Sequence, residues 1–154
     1  MRFALFLVAL ALLVACADAS SMLPVETIVI DTHKGPVSFR VEVAGDVESQ
    51  ERGLMNRKQM PADAGMLFDF RRARFVTFWM KDTYIPLDML FVRADGTISS
   101  VEPNAVPLST DPISSAEPIV VVIELNGGRA HDLDIEPGDK VHAAEIGQAG
   151  PAGH

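Results

Sequence analysis

Apolar and polar residues alternate most regularly in residues 37–43, which read VSFRVEV. Every second side chain there is apolar, and this period of two is typical of a strand with one buried face. A second apolar stretch lies just before it, at residues 27–30. Gly35 and Pro36 between the two favour a turn. The pattern therefore predicts a hairpin near the start of the domain.

Two short helices are predicted, each beginning at a side chain that can accept backbone hydrogen bonds. Asp46 can cap a helix of about two turns, which ends near Gly53. Asn126 can cap a second helix, which runs to Leu133. Helical patterning elsewhere is too sparse for a doubly wound α/β fold.

The rest of the chain favours short strands. They are predicted at residues 66–70, 75–80, 88–92, 97–101, 119–125 and 140–145. Residues 75–80 carry large apolar side chains on both faces of the strand, so both faces are expected to be buried. Residues 119–125 are rich in β-branched side chains, which is typical of a central strand. Residues 103–118 contain four prolines and are predicted to be one long loop.

About eight short strands and two small helices predict one mainly β domain, a β-sandwich or a barrel-like sheet. The chain has 154 residues, of which 48% are hydrophobic, enough for a core without disulfides. The domain is expected at residues 25–146, between a linker at 17–24 and a disordered tail at 147–154.

The N-terminus predicts export. Arg2 precedes an apolar run at residues 3–14, which as a helix would rise about 18 Å and could not cross a hydrocarbon core of about 30 Å. A cleaved signal over residues 1–16 fits better. Residues 13–16 (LVAC) are typical of a lipobox, so Cys16 would carry a lipid on the periplasmic face of a membrane. Alternatively, cleavage after Ala19 would release a soluble periplasmic protein.

The net charge of −8 argues against nucleic acid as a partner, because nucleic-acid binding needs clustered cations. The same charge argues against anionic membrane surfaces, so membrane contact is expected only through a lipid anchor. The one basic cluster, Arg71, Arg72 and Arg74, is expected to form a solvated strand edge.

Four motifs in order resemble those of the family known as domain of unknown function 192. They are Glu51-Arg52-Gly53-Leu54-Met55-x-Arg57, Gly65-Met66-Leu67-Phe68-x-Phe70, Phe78-Trp79-Met80-Lys81-x-Thr83 and Pro86-Leu87-Asp88. The segment 119–141 is similar to the C-terminal part of that family. The resemblance implies a compact, mainly β domain, often exported in bacteria, and it implies no activity. At position 82 the family usually has Asn, whereas this chain has Asp, which lacks the amide donor.

Several common kinds of active site are excluded by the motifs. The chain has no G-x-S-x-G, no P-loop and no G-x-G-x-x-G. Its only cysteine lies in the leader, and its four histidines are far apart, without zinc-ligand spacing. No cofactor and no metal site are predicted.

A ligand surface is the leading hypothesis. Arg52, Trp79, Lys81, Asp82 and Asp88 combine an aromatic side chain with charges that could fix the orientation of a small molecule, a glycan or a peptide. In the competing interpretation Arg52 and Lys81 pair with Asp82 or Asp88 to hold the fold, and Trp79 belongs to the core.

Two further hypotheses remain open. Two of the carboxylates Asp82, Asp88 and Glu124 could act as a pair in hydrolysis of an envelope polymer. A third hypothesis is copper handling by clustered thioethers. The methionines concerned are Met55, Met60, Met66, Met80 and Met89.

Overall fold

The computed structural model describes residues 22–147, and within them the chain forms nine strands and two short helices. In chain order these are β1 (Val25–Thr32), β2 (Gly35–Ala44), α1 (Val47–Arg52), β3 (Ala64–Arg74), β4 (Thr77–Phe78), β5 (Leu87–Val92), β6 (Ile98–Ala105), β7 (Ile113–Ser114), β8 (Ile119–Asn126), α2 (Arg129–Asp132) and β9 (Lys140–His142). The predicted signal, Cys16 and nearly all of the predicted tail lie outside the described residues.

Seven strands form one curled sheet, a half-barrel, in the order β6-β5-β8-β3-β2-β1-β9. β4 and β7 form a small second sheet. The mainly β class is therefore confirmed. Neighbouring strands are antiparallel except β2 and β3, which are parallel and are connected through α1, because parallel neighbours need a crossover. Neither helix in this part of the chain has the length and apolar character needed to cross a membrane.

The large sheet separates two apolar clusters, because successive side chains of a strand point to opposite faces. On β5, for example, Leu90 packs into one cluster and Met89 into the other. Side chains of α2 and β9 belong to the first cluster, whose side of the sheet we call the α2 face. Leu54, which follows α1, and buried residues near β4 belong to the second, on the side we call the α1 face.

Local signals predicted several elements correctly. β1 and β2 form the expected hairpin, and β8 is a central strand between β5 and β3. The Asp46 carboxylate caps α1 by accepting a hydrogen bond from the backbone N–H of Ser49 at 2.8 Å. Asp95 begins the turn between β5 and β6 and accepts from the backbone N–H of Thr97.

The prediction that residues 75–80 form a strand buried on both faces is wrong. Only β4 is a strand, and it pairs with β7 rather than joining the large sheet. Val76 and Met80 are buried, whereas Phe75 is 67% exposed and Trp79 is 51% exposed. The segment lies over the α1 face, so one side of it packs on the sheet and the other meets solvent.

The prediction that Asn126 caps the second helix is also wrong. The Asn126 amide donates to the backbone carbonyls of Met60 and Pro61. The residue preceding α2 is Gly128, which has no capping side chain of its own. The backbone amides at this end are instead bonded by Asp88, forty residues earlier in the chain.

Strand lengths differ from the predictions at three places. β3 continues to Arg74, and β9 ends at His142. The predicted loop at 103–118 is partly structured, because β6 extends to Ala105 and β7 lies within the loop. Pairing with neighbouring strands, which local composition does not reveal, sets these lengths.

Candidate functional site

A cavity of about 740 Å³ lies on the α1 face of the large sheet. Its walls come from α1 and the turn that follows it, from the end of β3 and from residues 75–79. Lys81 and Thr83 line it beyond β4, and Glu124 of β8 lines it from the sheet. Its volume is within the range of small-molecule sites, roughly 300–1,000 Å³.

Trp79 and Lys81 stand together at this cavity. The Nζ of Lys81 lies 5.4 Å from the centroid of the Trp79 ring, over its face, a cation–π arrangement. Neither this ammonium nor the guanidinium of Arg74 pairs with a carboxylate within residues 22–147. The turn that carries Lys81 is held by backbone bonds, from Thr83 N–H to the carbonyl of Met80 and from Met80 N–H to the carbonyl of Ser109. The indole is therefore presented to solvent on a fixed turn.

Two arginines add positive charge to the walls. Arg52 is the last residue of α1, and within residues 22–147 its one ion pair is a loose one, 3.9 Å from Glu48. The guanidinium carbon of Arg74 lies 4.5 Å from the centroid of the Phe70 ring. With Lys81, the cavity thus has three cationic side chains, against one exposed carboxylate, Glu51.

Glu124 is the acidic group on the sheet side of the cavity. Its side chain is 4% exposed, and it makes no side-chain hydrogen bond to any described residue. In the strand register it lies directly between Met66 of β3 and Met89 of β5, so thioethers flank it on both sides. Burial away from water raises the pKa of Glu124 to about 8. At neutral pH this side chain is therefore mainly a neutral carboxylic acid.

Asp82 does not line the cavity. Its backbone has φ +54, a left-handed conformation that Asn and Asp adopt more readily than other non-glycine residues. Its side chain is exposed and makes no hydrogen bond to a described residue, and its carbonyl accepts from the N–H of Asn56. The backbone conformation explains why Asp can stand where the family usually has Asn.

Asp88 does not line the cavity either. It is fully buried, and its carboxylate accepts hydrogen bonds from the backbone amides of Asn104, Gly128 and Ala130 at 2.7–3.0 Å. It pairs in register with Leu125, so it points to the α2 face, whereas Glu124 points to the α1 face. Asp88 and Glu124 therefore do not face a common site, and of the five predicted ligand residues only Arg52, Trp79 and Lys81 come together.

The clustered methionines lie mostly in the core. Met66, Met80 and Met89 are fully buried in the cluster on the α1 face, and Met60 packs against it. Met55 lines the cavity. Among the described residues, no group of three or more His, Cys, Asp or Glu side chains is arranged to hold a metal ion.

The model of the family DUF192, described as "Uncharacterized ACR", matches residues 28–143. The chain belongs to this family. No curated protein matches it.

Two solved structures are similar to the chain over most of its length. One is a Sinorhizobium meliloti 1021 protein, provisionally described as a transcription regulator, with 46% identity and a TM-score of 0.78; the match covers 80% of this chain and 97% of that one. The other is a protein of unknown function from Novosphingobium aromaticivorans DSM 12444, with 38% identity and a TM-score of 0.78; the match covers 81% and 89%.

Several residues of the DUF192 motifs have structural roles. A Cβ at Gly65 would lie 2.6 Å from the carbonyl oxygen of Glu124, so only glycine lets β3 approach β8 this closely. Arg57 donates two hydrogen bonds of 2.6 Å to the carboxylate of Glu42 and so ties the loop after α1 to β2. Trp79 differs from these two residues, because half of its side chain is exposed to solvent.

Sequence reasoning missed two features of the site. The sequence predicts that Arg74 lies at a solvated edge. Arg71 has a left-handed backbone conformation (φ +60), which interrupts the alternation of side chains along β3. The alternation therefore could not show that Arg74 lies at the cavity. For Glu124 the sequence suggests only a paired role, either in a catalytic pair of carboxylates or in a pair that stabilises the fold. A single acidic residue inside the apolar run 119–125 was the available signal, because an acid in a central strand is rarely buried without a reason.

Proposed function

We propose that this DUF192 domain is an exported binding module of the bacterial cell envelope, which holds a small anionic molecule in the cavity beside Trp79. The observation that carries the proposal is the exposed indole with an unpaired ammonium over its face, at the edge of a cavity of about 740 Å³. Aromatic faces bind flat or apolar parts of ligands, and a nearby cation selects for negative charge.

The balance of charge at the cavity supports an anionic ligand. Arg52, Arg74 and Lys81 are cationic, and the buried Glu124 is mainly neutral at pH 7. The protein as a whole carries a net charge of −8, so the excess of positive charge at the cavity is opposite in sign to the charge of the whole protein. That net charge also gives no reason to extend the relative's transcription-regulator description to this chain.

Fluorescence of the single tryptophan tests the proposal directly. Carboxylates, phosphates, sugar acids and short peptides are titrated into the protein, and calorimetry measures the affinity of any that change the emission. We expect Trp79→Ala and Lys81→Met each to weaken binding about tenfold or more. Tyr84→Ala and Lys58→Met are matched controls, because both side chains are exposed and neither lines the cavity. The proposal would be overturned if the control variants lost as much ligand affinity as the test variants, or if the test variants lost none.

Export and lipid attachment are part of the proposal and rest on the sequence of residues 1–16. Radioactive palmitate should label the wild-type protein in bacteria and should not label Cys16→Ser. If the wild type is unlabelled and is found free in the periplasm, cleavage after Ala19 is the correct alternative. Retention of both proteins in the cytoplasm would contradict export.

A hydrolase is the second candidate function, and Glu124 is the observation in its favour. A carboxylic acid whose pKa is raised to about 8 in a cavity has the protonation state of a general acid. Neither Asp82 nor Asp88 lines the cavity with it. Release of reducing ends or peptides from purified envelope polymers, abolished by Glu124→Gln, would favour this candidate over binding alone.

A further inference from the structure

Glu124 is a polar group without a hydrogen-bond partner among residues 22–147, at the sheet side of the cavity. It lies near the end of the central strand β8, and the side chains of its neighbours across the sheet, Met66 and Met89, have no hydrogen-bond donor and only a weakly accepting thioether. A nearly buried carboxyl that no protein group bonds is costly, since it loses most of its contact with water and gains no hydrogen bond from the protein in return. A ligand that enters the cavity can supply the missing partner.

The form of the carboxyl decides which partner fits. As a neutral acid it has one O–H donor, and its natural partner is an uncharged oxygen acceptor such as a carbonyl, hydroxyl or ether. A ligand ammonium is the alternative partner for the ionised form. The cations Arg52, Arg74 and Lys81 line the same cavity and repel an ammonium, so the acceptor is favoured.

We infer that Glu124 recognises the bound molecule by donating a hydrogen bond from its carboxylic acid O–H to a neutral oxygen, so that the ligand is an organic acid carrying a second oxygen function away from its anionic group. The inference rests on the proposed function and deepens it, because it assigns the ligand two polar ends. The anionic end meets the cations at the cavity wall, the neutral oxygen meets Glu124, and the apolar part between them lies along Phe78 and Trp79.

Binding should then depend on pH through Glu124. The other charged side chains lining the cavity are Glu51 and Arg52 from α1, Arg74 from β3 and Lys81 from the turn after β4. No charged group faces Glu124 from the strands beside it, where the neighbours are methionines. Any pH dependence of binding that comes from the other groups is the same in the wild type and in Glu124→Gln. The difference in affinity between these two proteins therefore reports the effect of Glu124 alone.

The experiment uses straight-chain oxo acids of five to eight carbons, with the keto group next to the terminal methyl, each paired with its parent fatty acid. At pH 6 the best oxo acid should bind the wild type about tenfold more tightly than its parent, as expected for one hydrogen bond of about 1.4 kcal/mol. Glu124→Gln keeps a donor of similar shape and should preserve this preference. Glu124→Leu should abolish it, and Glu136→Gln, an exposed control, should leave it unchanged.

Between pH 6 and pH 9.5 the wild type should lose the preference for the oxo acid by about tenfold or more, because the acid proton is lost, while Glu124→Gln should keep it. The ω-amino acids of the same lengths test the alternative. If they bind the wild type best and bind more tightly as pH rises, Glu124 acts as an anion and the inference is overturned. If Glu124→Leu does not fold, the pH dependence of the oxo-acid preference, compared between the wild type and Glu124→Gln, still tests whether Glu124 donates the hydrogen bond.

The two proposals fail in different ways. If neither these acids nor the carboxylates, phosphates, sugar acids and peptides of the first experiment bind at millimolar concentrations, or if Lys81→Met and Trp79→Ala leave binding unchanged, the proposed function fails and the inference with it. If other anions bind but none of these acids does, only the inference is overturned. If binding needs Lys81 and Trp79, but both Glu124 variants match the wild type for oxo acid and parent acid at every pH, only the role of Glu124 is overturned.

Discussion

Replacing Glu124 with glutamine should change how the stability of the protein depends on pH. The pKa of this carboxyl is raised from 4.5 to about 8 by burial alone. Between these two values the folded protein holds a proton that the unfolded chain has released. Stability therefore falls as pH rises through this window, because the unfolded state gains more from ionisation.

The magnitude follows from the size of the shift. Each pH unit of a pKa shift corresponds to about 1.4 kcal/mol, so Glu124 should remove about 5 kcal/mol of unfolding free energy between pH 4 and pH 9, and about 3 kcal/mol of it by pH 7. Glutamine cannot ionise, so in Glu124→Gln this residue does not lower the unfolding free energy as pH rises. Whatever Glu124→Gln costs in packing is the same at every pH, so its stability relative to wild type should improve steadily from pH 5 to pH 8.

Urea unfolding followed by circular dichroism, at one-unit intervals from pH 4 to pH 9, measures this difference. Glu136→Gln removes an exposed carboxylate and serves as the control, with a curve parallel to that of the wild type. The reasoning is refuted if the curve of Glu124→Gln also stays parallel to the wild type within about 0.5 kcal/mol across the whole range. Such a result would mean that water or another group solvates Glu124 in the folded protein.

Three further changes test other parts of the structure by the same unfolding assay. Asp88→Ala should cost about 3 kcal/mol or more, because three backbone N–H groups lose their acceptor; a cost below about 1 kcal/mol would contradict this role. Burial, together with the neighbouring carboxyl of Glu145, raises the pKa of Glu26 to about 7. Its contribution to stability falls as pH rises from 4.5 to 7, so Glu26→Gln should stabilise by about 1 kcal/mol at pH 8, after allowance for solvent screening, and should have no such effect at pH 4. Equal effects at both pH values would exclude ionisation as the cause. Gly65→Ala should cost about 2 kcal/mol, because its methyl would meet the carbonyl oxygen of Glu124; an unchanged urea midpoint would show that β3 can move away without loss.

Local signals were sufficient for much of the fold. The alternation at residues 37–43 and the cap at Asp46 each depend on side chains a few positions apart, and both appear in the structure as predicted. Trp79 and Lys81 lie close together for the same reason, since they are two residues apart and share a turn. Features of this kind are encoded within a single element.

What could not be predicted depends on partners distant in the sequence. Asp88 looked like a ligand residue because it is a charge within an apolar stretch, and nothing near it indicates that its partners are the amides at α2. The prediction that Asn126 is a helix cap depends on its position alone, whereas the group that bonds those amides is the Asp88 carboxylate. The exposure of Trp79 depends on β4 lying above the large sheet instead of within it, which composition does not reveal.

The position of β8 has a consequence for the order in which the protein can fold. β8 (Ile119–Asn126) lies between β5 and β3, and it is the only strand that joins the β6-β5 side of the sheet to the β3-β2-β1-β9 side within the described chain. A chain that emerges from its N-terminus has β1, β2, β3, β5 and β6 available before β8, the strand that unites them, and until then β3 and β5 each present an unpaired edge. The sheet therefore closes late, by contacts of large sequence separation. A chain that crosses a membrane from its N-terminus would therefore be unable to complete this sheet until β8 and β9, its last two strands, had been delivered.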